Sequence, residues 1–364
     1  MVGAQRLEQL ELRGFRNLLP LVFEPGGRFN VIHGDNGQGK SNLLEAIDYL
    51  GRLKSFRGAT TEELIGGEAQ AADLRARFAN EPLSRNVHIH LPRQGRRQCV
   101  VDGKRMRSRS EYAAQQQIVL FHAGDLRLAT GSPEGRRAFL DRMLEQFDPS
   151  YASSLAAYER ALRSRNRLLK LESPKRAAIA AYDELLASAG AVIGQSRARL
   201  VLEMAPSVAR TFEEISQQQM HLELAYAPRV QPEVERIKAT LAAALPKDLA
   251  RGFTADGPHA DDLQFKTRGV QAKRFASQGQ HRAIVLALKV TELHELGRRV
   301  GRVPVLLLDD VSSELDRTRN RLLFERLSSL GGQVFLTTTH PEFILIEHDR
   351  LDFRIEAGGV SVTR

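Results

Sequence analysis

The sequence has no tryptophan and a single cysteine, Cys99, among its 364 residues. One cysteine cannot close an intrachain disulfide, which excludes a disulfide framework and points to a reducing compartment, the cytoplasm. No uninterrupted apolar run approaches the roughly 18 residues that cross a bilayer. The first twenty residues, MVGAQRLEQLELRGFRNLLP, interleave charged and apolar side chains and lack the apolar core of a secretory signal. No membrane partner is expected. The sequence shows no internal repeat and no low-complexity tract, which removes solenoid and tether architectures. Aromatics are 6% of the chain, and none interleaves with the basic stretches described below. No stacking platform for unpaired bases is therefore evident.

What remains is a chain long enough for two to three domains at about 150 residues each, able to build a core without disulfides or metals. Its 53 Lys and Arg against 44 Asp and Glu give a net charge of +9. Residues 93–109 carry Arg93, Arg96, Arg97, Lys104, Arg105, Arg107 and Arg109 against Asp102, a net of +6. Residues 159–176 carry Arg160, Arg163, Arg165, Arg167, Lys170, Lys175 and Arg176 against Glu159 and Glu172, a net of +5. Everything else nets to −2. Two such windows fit phosphate-backbone binding that is salt-sensitive and indifferent to sequence, or simply two solvated basic faces.

Strand patterns fill the first 120 residues. Leu7, Leu10 and Leu12 precede a turn at Gly14–Asn17, Arg28–His33 is a short strand ending in glycine, and residues 86–91 alternate with the strand period. Asp102-Gly103 marks a two-residue hairpin turn. A helix is expected from Ser41, with Leu43, Leu44, Ile47 and Leu50 on one face. From Arg136 to Ser216 the apolar period is helical. Leu155, Tyr158, Leu162 and Leu169 form one stripe, and Ile179, Tyr182, Leu186, Ala189 and Ile193 a second. Leu200, Met204, Phe212 and Ile215 form a third, and Ser173-Pro174 breaks the first from the second. This predicts an antiparallel helical arm inserted into an α/β body. Strand signal returns at His221–Tyr226. Val303–Leu308 and Val334–Thr338 are continuous apolar runs, as parallel strands covered on both faces tend to be.

Gly34-Asp35-Asn36-Gly37-Gln38-Gly39-Lys40-Ser41 matches the phosphate-loop pattern G-x4-G-K-[ST] without a mismatch. Glycines let backbone N–H groups close around phosphates at a helix N-terminus. Lys40 would then reach the β- and γ-phosphates, and the Ser41 hydroxyl would ligate magnesium. The run LLLDD supplies an acidic partner. Asp309 ends a buried strand, where it can hold the ion, and Asp310 can orient or deprotonate an attacking water, although such a pair also serves to cap a turn. Ser277-Gln278-Gly279-Gln280 opens an apolar helix, as an anion site or as a plain helix start. His340 follows the last buried strand, as a structural residue or a γ-phosphate contact.

In this order the segments resemble the heads of ABC-type ATPases, with Gly34–Ser41 as Walker A, Leu306–Asp310 as Walker B and Ser277–Gln280 as the signature. Ser313–Asp316 matches the D-loop and His340 the switch histidine. The resemblance implies ATP and magnesium held between the Walker A of one head and the signature and Asp316 of another, hence an ATP-dependent homodimer. Ser277 lies more than 230 residues beyond Lys40, farther than in transporter ATPases. The arm fills the gap, as in SMC and Rad50-like heads, and a short arm in a single chain is similar to the bacterial RecF family. Leu12–Asn17, Gly131–Asp141, Gly257–Leu263 and Asp309–Asp316 are stretches particular to that family.

The family resemblance adds Arg16 and Asn17 to the nucleotide contacts. It implies DNA bound where single strand meets duplex at a gap, through Arg93, Arg96, Arg97, Lys104, Arg105, Arg107, Arg160, Arg163, Arg167 and Lys170. It further implies a weak DNA-dependent ATPase acting in replication and recombinational gap repair in the SOS response, with RecR, RecO and RecA as partners. The expected layout is an α/β head, residues 1–125 and 226–364, split by a short helical arm at 126–225. The chain departs from the family at Ala123-Gly124, where Pro-Glu is usual, and at Ala260, where arginine is usual. No Q-loop glutamine can be chosen among Gln115, Gln116 and Gln117. A transporter ATPase subunit and a monomeric phosphate-loop kinase are the rival readings.

Overall fold

The computed structural model describes residues 3–80, 83–107, 111–112, 116–216, 221–310, 321, 324–325, 331–346 and 348–364. The chain divides into two compact units, Met1–Asp125 with Glu292–Arg364, and Leu126–Thr291.

At the centre of the first unit is a six-stranded sheet. Its order is Gly359–Val362, Arg350–Glu356, Phe29–His33, Val334–Thr338, Val305–Asp309, Ile118–His122. Neighbours run parallel except for the hairpin of the first two. The two continuous apolar runs become adjacent inner strands, with Val305–Leu308 and Val334–Thr338 buried. Helix Lys40–Arg52 buries Leu43, Leu44, Ile47 and Leu50. These side chains share one core with Leu307 and Phe335 of the central sheet and with Leu10, Leu12, Leu74, Val87 and Ile89 of a second sheet. That second sheet is antiparallel, in the order Leu21–Phe23, Arg6–Arg13, Ala71–Asn80, Leu83–Pro92, Gln98–Val101, Lys104–Arg105. Asp102 and Gly103 adopt φ of 49° and 77°, the left-handed pair that a two-residue hairpin requires. Cys99 lies inside the core, where burial pushes its thiol up to about 12 and removes it as a nucleophile.

The second unit is built on two long helices, Pro149–Leu169 and Arg176–Ser216. They are antiparallel. Arg165 donates to Asp183 near their connection, whereas Arg197 donates to the Tyr151 hydroxyl at the far end. The second and third apolar stripes turn out to be one helix that continues through Pro206. By length and composition this helix could cross a membrane, a property that scanning for uninterrupted apolar runs does not register. Its Leu186, Ile193, Leu200, Val208 and Phe212 are buried, and its Arg197 is buried in an ion pair with Asp141. This is the pattern of a helix packed along one face within a folded unit.

The helical unit does not stop at residue 225. Helix Val234–Arg251 packs along Arg176–Ser216, burying Ile237 and Leu241 and placing Lys238 Nζ 2.6 Å from Glu184. A small sheet of Leu222–Ala227, Asp262–Thr267 and Val270–Gln271 belongs to the same unit. The expected head segment 226–364 is therefore divided, with residues 226–291 in the unit that carries the arm. The physical reason is that the third helix and the small sheet bury their apolar sides within this unit, which sequence periodicity does not reveal.

Arg165 is the largest fully buried side chain among the described residues. Its guanidinium donates to Asp183 Oδ1 at 2.6 Å, Asp248 Oδ2 at 2.8 Å and Thr254 Oγ1 at 2.7 Å, joining all three arm helices and the loop after the third. Removing one partner of such a set leaves the other charges buried and uncompensated, which costs about 3–5 kcal/mol. Arg165→Ala is expected to lose that much in urea unfolding followed by far-UV circular dichroism, where the helical unit dominates the signal. A loss under about 1 kcal/mol would show that this set does not hold the arm together.

Candidate phosphate-binding site

The loop between strand Phe29–His33 and helix Lys40–Arg52 turns through three glycines with left-handed backbone, Gly34 (φ 141°), Gly37 (80°) and Gly39 (119°). Two of them also lie where no side chain fits. A Cβ on Gly34 would stand 2.3 Å from the Ile355 carbonyl oxygen, and one on Gly39 2.9 Å from Leu18 Cδ2. The loop is braced from outside. Asn17 Nδ2 donates to the Gly37 carbonyl at 3.2 Å, and Asn17 Oδ1 accepts from Asn42 Nδ2 at 2.7 Å. Gln38 accepts from the backbone of the 356–359 turn, its Oε1 from Ala357 N at 2.6 Å and its carbonyl from Gly358 N at 3.1 Å. Asp35, Asn36 and Gly37 remain exposed, while Lys40 is buried and Ser41 half-buried.

Lys40 Nζ donates to the Gly34 and Asp35 carbonyls at 2.7 and 2.9 Å, so two of its three donors shape the loop. Burial pulls its ammonium below the ordinary range, and the carboxylates of Asp310, Asp309 and Asp35 only partly counter this. A buried cation that is under-compensated favours a phosphate as its next partner.

The two aspartates are set by a residue that the sequence reading passed over. Thr337 is the register neighbour of Asp309. Its hydroxyl donates to Asp309 Oδ1 at 2.9 Å and accepts from the Asp310 backbone N–H at 2.9 Å. Asp310 adopts φ of 52°, a left-handed conformation that costs a non-glycine residue about 1–2 kcal/mol and aims its chain away from the strand. A threonine inside an apolar strand run is the only trace of this clamp in the sequence. On the other side of Asp309 the register neighbour is His122. Its Nδ1 accepts from Gly124 N at 3.1 Å, and its ring centroid lies 5.1 Å from that of Phe56. A Cβ on Gly124 would stand 2.6 Å from His122 Cε1, which gives the departure at Ala123-Gly124 a steric meaning.

Several expected contacts are placed elsewhere. Arg16 is committed to the protein: Nε and Nη2 donate to Glu45 at 2.9 and 3.0 Å, and Nη1 donates to the Glu63 carbonyl at 2.8 Å. Glu45 is fully buried on the helix after the loop and was not anticipated. Arg16 thus anchors that helix. Gln116 and Gln117 are buried, Gln116 Oε1 accepting from Gln5 Nε2 at 2.8 Å and Gln117 N donating to Gln5 Oε1 at 3.0 Å. Neither is placed as a Q-loop residue; Gln115, the D-loop and Asp316 lie outside the described residues. His340 is exposed beyond strand Val334–Thr338, its Nδ1 3.1 Å from Glu342 Oε1. Among the described residues no group of three metal-binding side chains clusters. A magnesium site would therefore rest on Asp309, the Ser41 hydroxyl, phosphate oxygens and water, a donor set that suits this ion.

In the second unit Ser277 and Gln280 form a reciprocal cap. Ser277 N donates to Gln280 Oε1 at 2.8 Å and Gln280 N to Ser277 Oγ at 3.2 Å, at the start of helix Gln278–Val300. Ser277 and Gln278 are exposed. Of the basic windows, Arg93 and Arg97 are structural pins. Arg93 donates to the Ala69, Gly66 and Gly67 carbonyls, and Arg97 to the Leu53 carbonyl and the Tyr49 hydroxyl. Arg96, Lys104, Arg105 and Arg107 are exposed, as are Arg160, Arg163, Arg167 and Lys170 on the arm.

With this geometry in view, the chain can be set beside known proteins. The family described as RecF/RecN/SMC N terminal domain matches residues 6–357. The DNA replication and repair protein RecF of Anaeromyxobacter sp. (strain Fw109-5) is 41% identical over 367 residues, covering 98% of this chain and 99% of its own. That of Myxococcus xanthus is 38% identical over 370 residues, with 98% and 97% covered. A solved structure of the recombination mediator protein RecF with ATP, in the RecFOR pathway, superposes with a TM-score of 0.92 at 31% identity over 100% of this chain and 99% of that one. The Smc head domain from Pyrococcus furiosus shares the fold at a TM-score of 0.55 and 17% identity. Full-length identity at this level, on a head of the same architecture, means that the chain belongs to the RecF family.

Proposed function

We propose that this protein is an ATP-gated DNA-binding ATPase of replication and recombinational gap repair, two copies of which close on nucleotide and hold DNA where a single-strand gap meets duplex. The observation that carries the reading is the under-compensated Lys40 within a glycine loop, facing Asp309 and Asp310, which one threonine hydroxyl sets in place. The names of the relatives and the ATP-bound RecF structure support it. The transporter alternative has no comparable support.

The loop amides of residues 34–39 would bind the phosphates, and Lys40 would offer its remaining donor to them. Ser41 and Asp309 would hold magnesium, which supplies charge neutralisation between phosphate oxygens when bound. Asp310 would orient the attacking water. Its side chain is one methylene shorter than glutamate, consistent with slow hydrolysis; we infer the dependence on DNA from the family. His340 would face the γ-phosphate, and the exposed Ser277 cap of a second copy would complete the site. RecR, RecO and RecA are the partners we infer from the family, and the cytoplasm the compartment.

Lys40→Met is expected to weaken nucleotide binding roughly 30-fold or more and to abolish nucleotide-dependent DNA retention. Unchanged retention would remove the loop from the mechanism. Ser277→Arg should bind ATP as a monomer yet fail to dimerise in light scattering, and ATP-induced dimers of that variant would exclude the two-headed site. The charge argument gives a third expectation, measured as DNA affinity across a salt series. Removing Arg160 and Arg163 together should lower the slope of log affinity against log salt by about 1.8 if both meet phosphates. Arg97→Ala should leave the slope alone and lower the unfolding temperature, because its guanidinium is already bonded within the protein.

A further inference from the structure

The structure brings together an aromatic and a set of cations that lie far apart in sequence. The arm helices Pro149–Leu169 and Arg176–Ser216 are joined at residues 170–175, and the loop after helix Val234–Arg251 lies against that end. Thr254 N and Oγ1 both donate to Asn166 Oδ1, at 2.8 and 2.7 Å. Gly252 turns the chain with φ of 73°, and a methyl placed on it would stand 3.3 Å from Lys170 Cγ. Phe253 lies between Gly252 and Thr254 in the chain with 48% of its surface exposed, and Leu171 is 52% exposed.

Around this end, Arg167, Lys170, Lys175, Arg176, Lys247 and Arg251 are all exposed, and the only acid of the connection is Glu172. None of the six cations makes an ion pair among the described residues, unlike Arg165, which is paired within the arm with Asp183 and Asp248. The end of the arm thus carries one exposed aromatic side chain among cations that make no ion pair among the described residues.

We infer that the arm tip binds single-stranded DNA, with Phe253 stacking on an unpaired base while Arg167, Lys170 and Arg251 neutralise the flanking phosphates. The inference rests on the proposed DNA-binding function and goes beyond it, assigning the unpaired strand of the gap to the tip. Two exposed apolar side chains are too small a patch to seat a protein helix, whereas one aromatic face is what one base requires. Duplex, whose bases are already stacked, would engage the cations alone.

The test uses the full-length protein and fluorescence anisotropy with a labelled oligothymidylate and a duplex of equal length, with and without ATP. Phe253→Ala should weaken single-strand binding about tenfold while duplex affinity stays within about twofold. Phe253→Leu should behave like the alanine variant, because leucine keeps apolar bulk without a π-face, and Phe253→Trp should bind the single strand at least as well as the unaltered protein. Circular dichroism melts of the three variants should coincide with that of the unaltered protein, since the side chain is half exposed. Single-strand binding unchanged in Phe253→Ala, or retained in full by Phe253→Leu, overturns the inference and leaves an acidic protein partner as the reading of the patch. Equal losses on both DNAs overturn it as well, by making Phe253 a packing residue. Failure of the DNA-binding reading itself looks different, because the unaltered protein would then bind neither probe.

Discussion

The site depends on the parallel register of four strands. Val305–Asp309 is hydrogen-bonded to Val334–Thr338 with Asp309 abreast of Thr337, and to Ile118–His122 with Asp309 abreast of His122. Phe29–His33, which delivers the phosphate loop, is in phase with Val334–Thr338 on its other side. Because side chains alternate across a strand, a slip of one residue would send Asp309 and Thr337 to the opposite face and break the hydroxyl clamp. The apolar runs prevent that slip. Leu307 and Phe335, two residues back from Asp309 and Thr337, are anchored in the same core as Leu43 and Ile47 of the helix that begins with Lys40. Core packing and the geometry between lysine and aspartate are therefore one constraint.

How much of this the sequence discloses follows the range of the interactions. The glycine loop, its helix, the hairpin at Asp102-Gly103 and the buried strands are legible because each is specified by a few adjacent residues. The roles of Thr337, Glu45 and Gln116 are not, because each is defined by a partner 27 to 111 positions away, at Asp310, Arg16 and Gln5. The extent of the helical unit is illegible for the same reason. Helix Val234–Arg251 has a modest apolar face that becomes meaningful only against Arg176–Ser216. Here tertiary context, and not local propensity, decides which body a segment joins.

Charge counting shows the same limit from another direction. Both basic windows hold seven cations in sequence, yet the structure divides them by what they touch. Arg93 and Arg97 close loops by donating to carbonyls, and Arg165 fastens helices to one another. These side chains use hydrogen-bond donors within the protein. Exposed cations remain at Arg96, Arg105 and Arg107 in the first window, and a second group lies at the end of the arm, joined there by Lys247 and Arg251, which lie outside either window. The electrostatic surface of this protein belongs to its fold more than to any stretch of its sequence.

The family-like stretches Gly131–Asp141 and Gly257–Leu263 acquire a physical meaning on the same terms. Arg136 donates twice to the Asp262 carboxylate, at 2.7 and 3.0 Å, and Arg137 donates to the Asp261 carbonyl at 2.7 Å. Arg197 of the long arm helix donates to Asp141 and to the Pro258 carbonyl, and Tyr158 bonds His259 across a turn that only Gly257 can make, at φ of 142°. A Cβ at that glycine would stand 2.5 Å from the Tyr158 hydroxyl oxygen. Two stretches more than a hundred residues apart thus form one buried polar knot at the root of the arm. In a low-dielectric interior each such bond is strong only while its neighbours are satisfied, which is why these residues act as a set. Ala260 sits in the middle of the knot, in a turn closed by its own N–H to the Gly257 carbonyl at 2.9 Å. The knot therefore closes without the family's arginine, since none of the bonds named here uses the side chain at position 260.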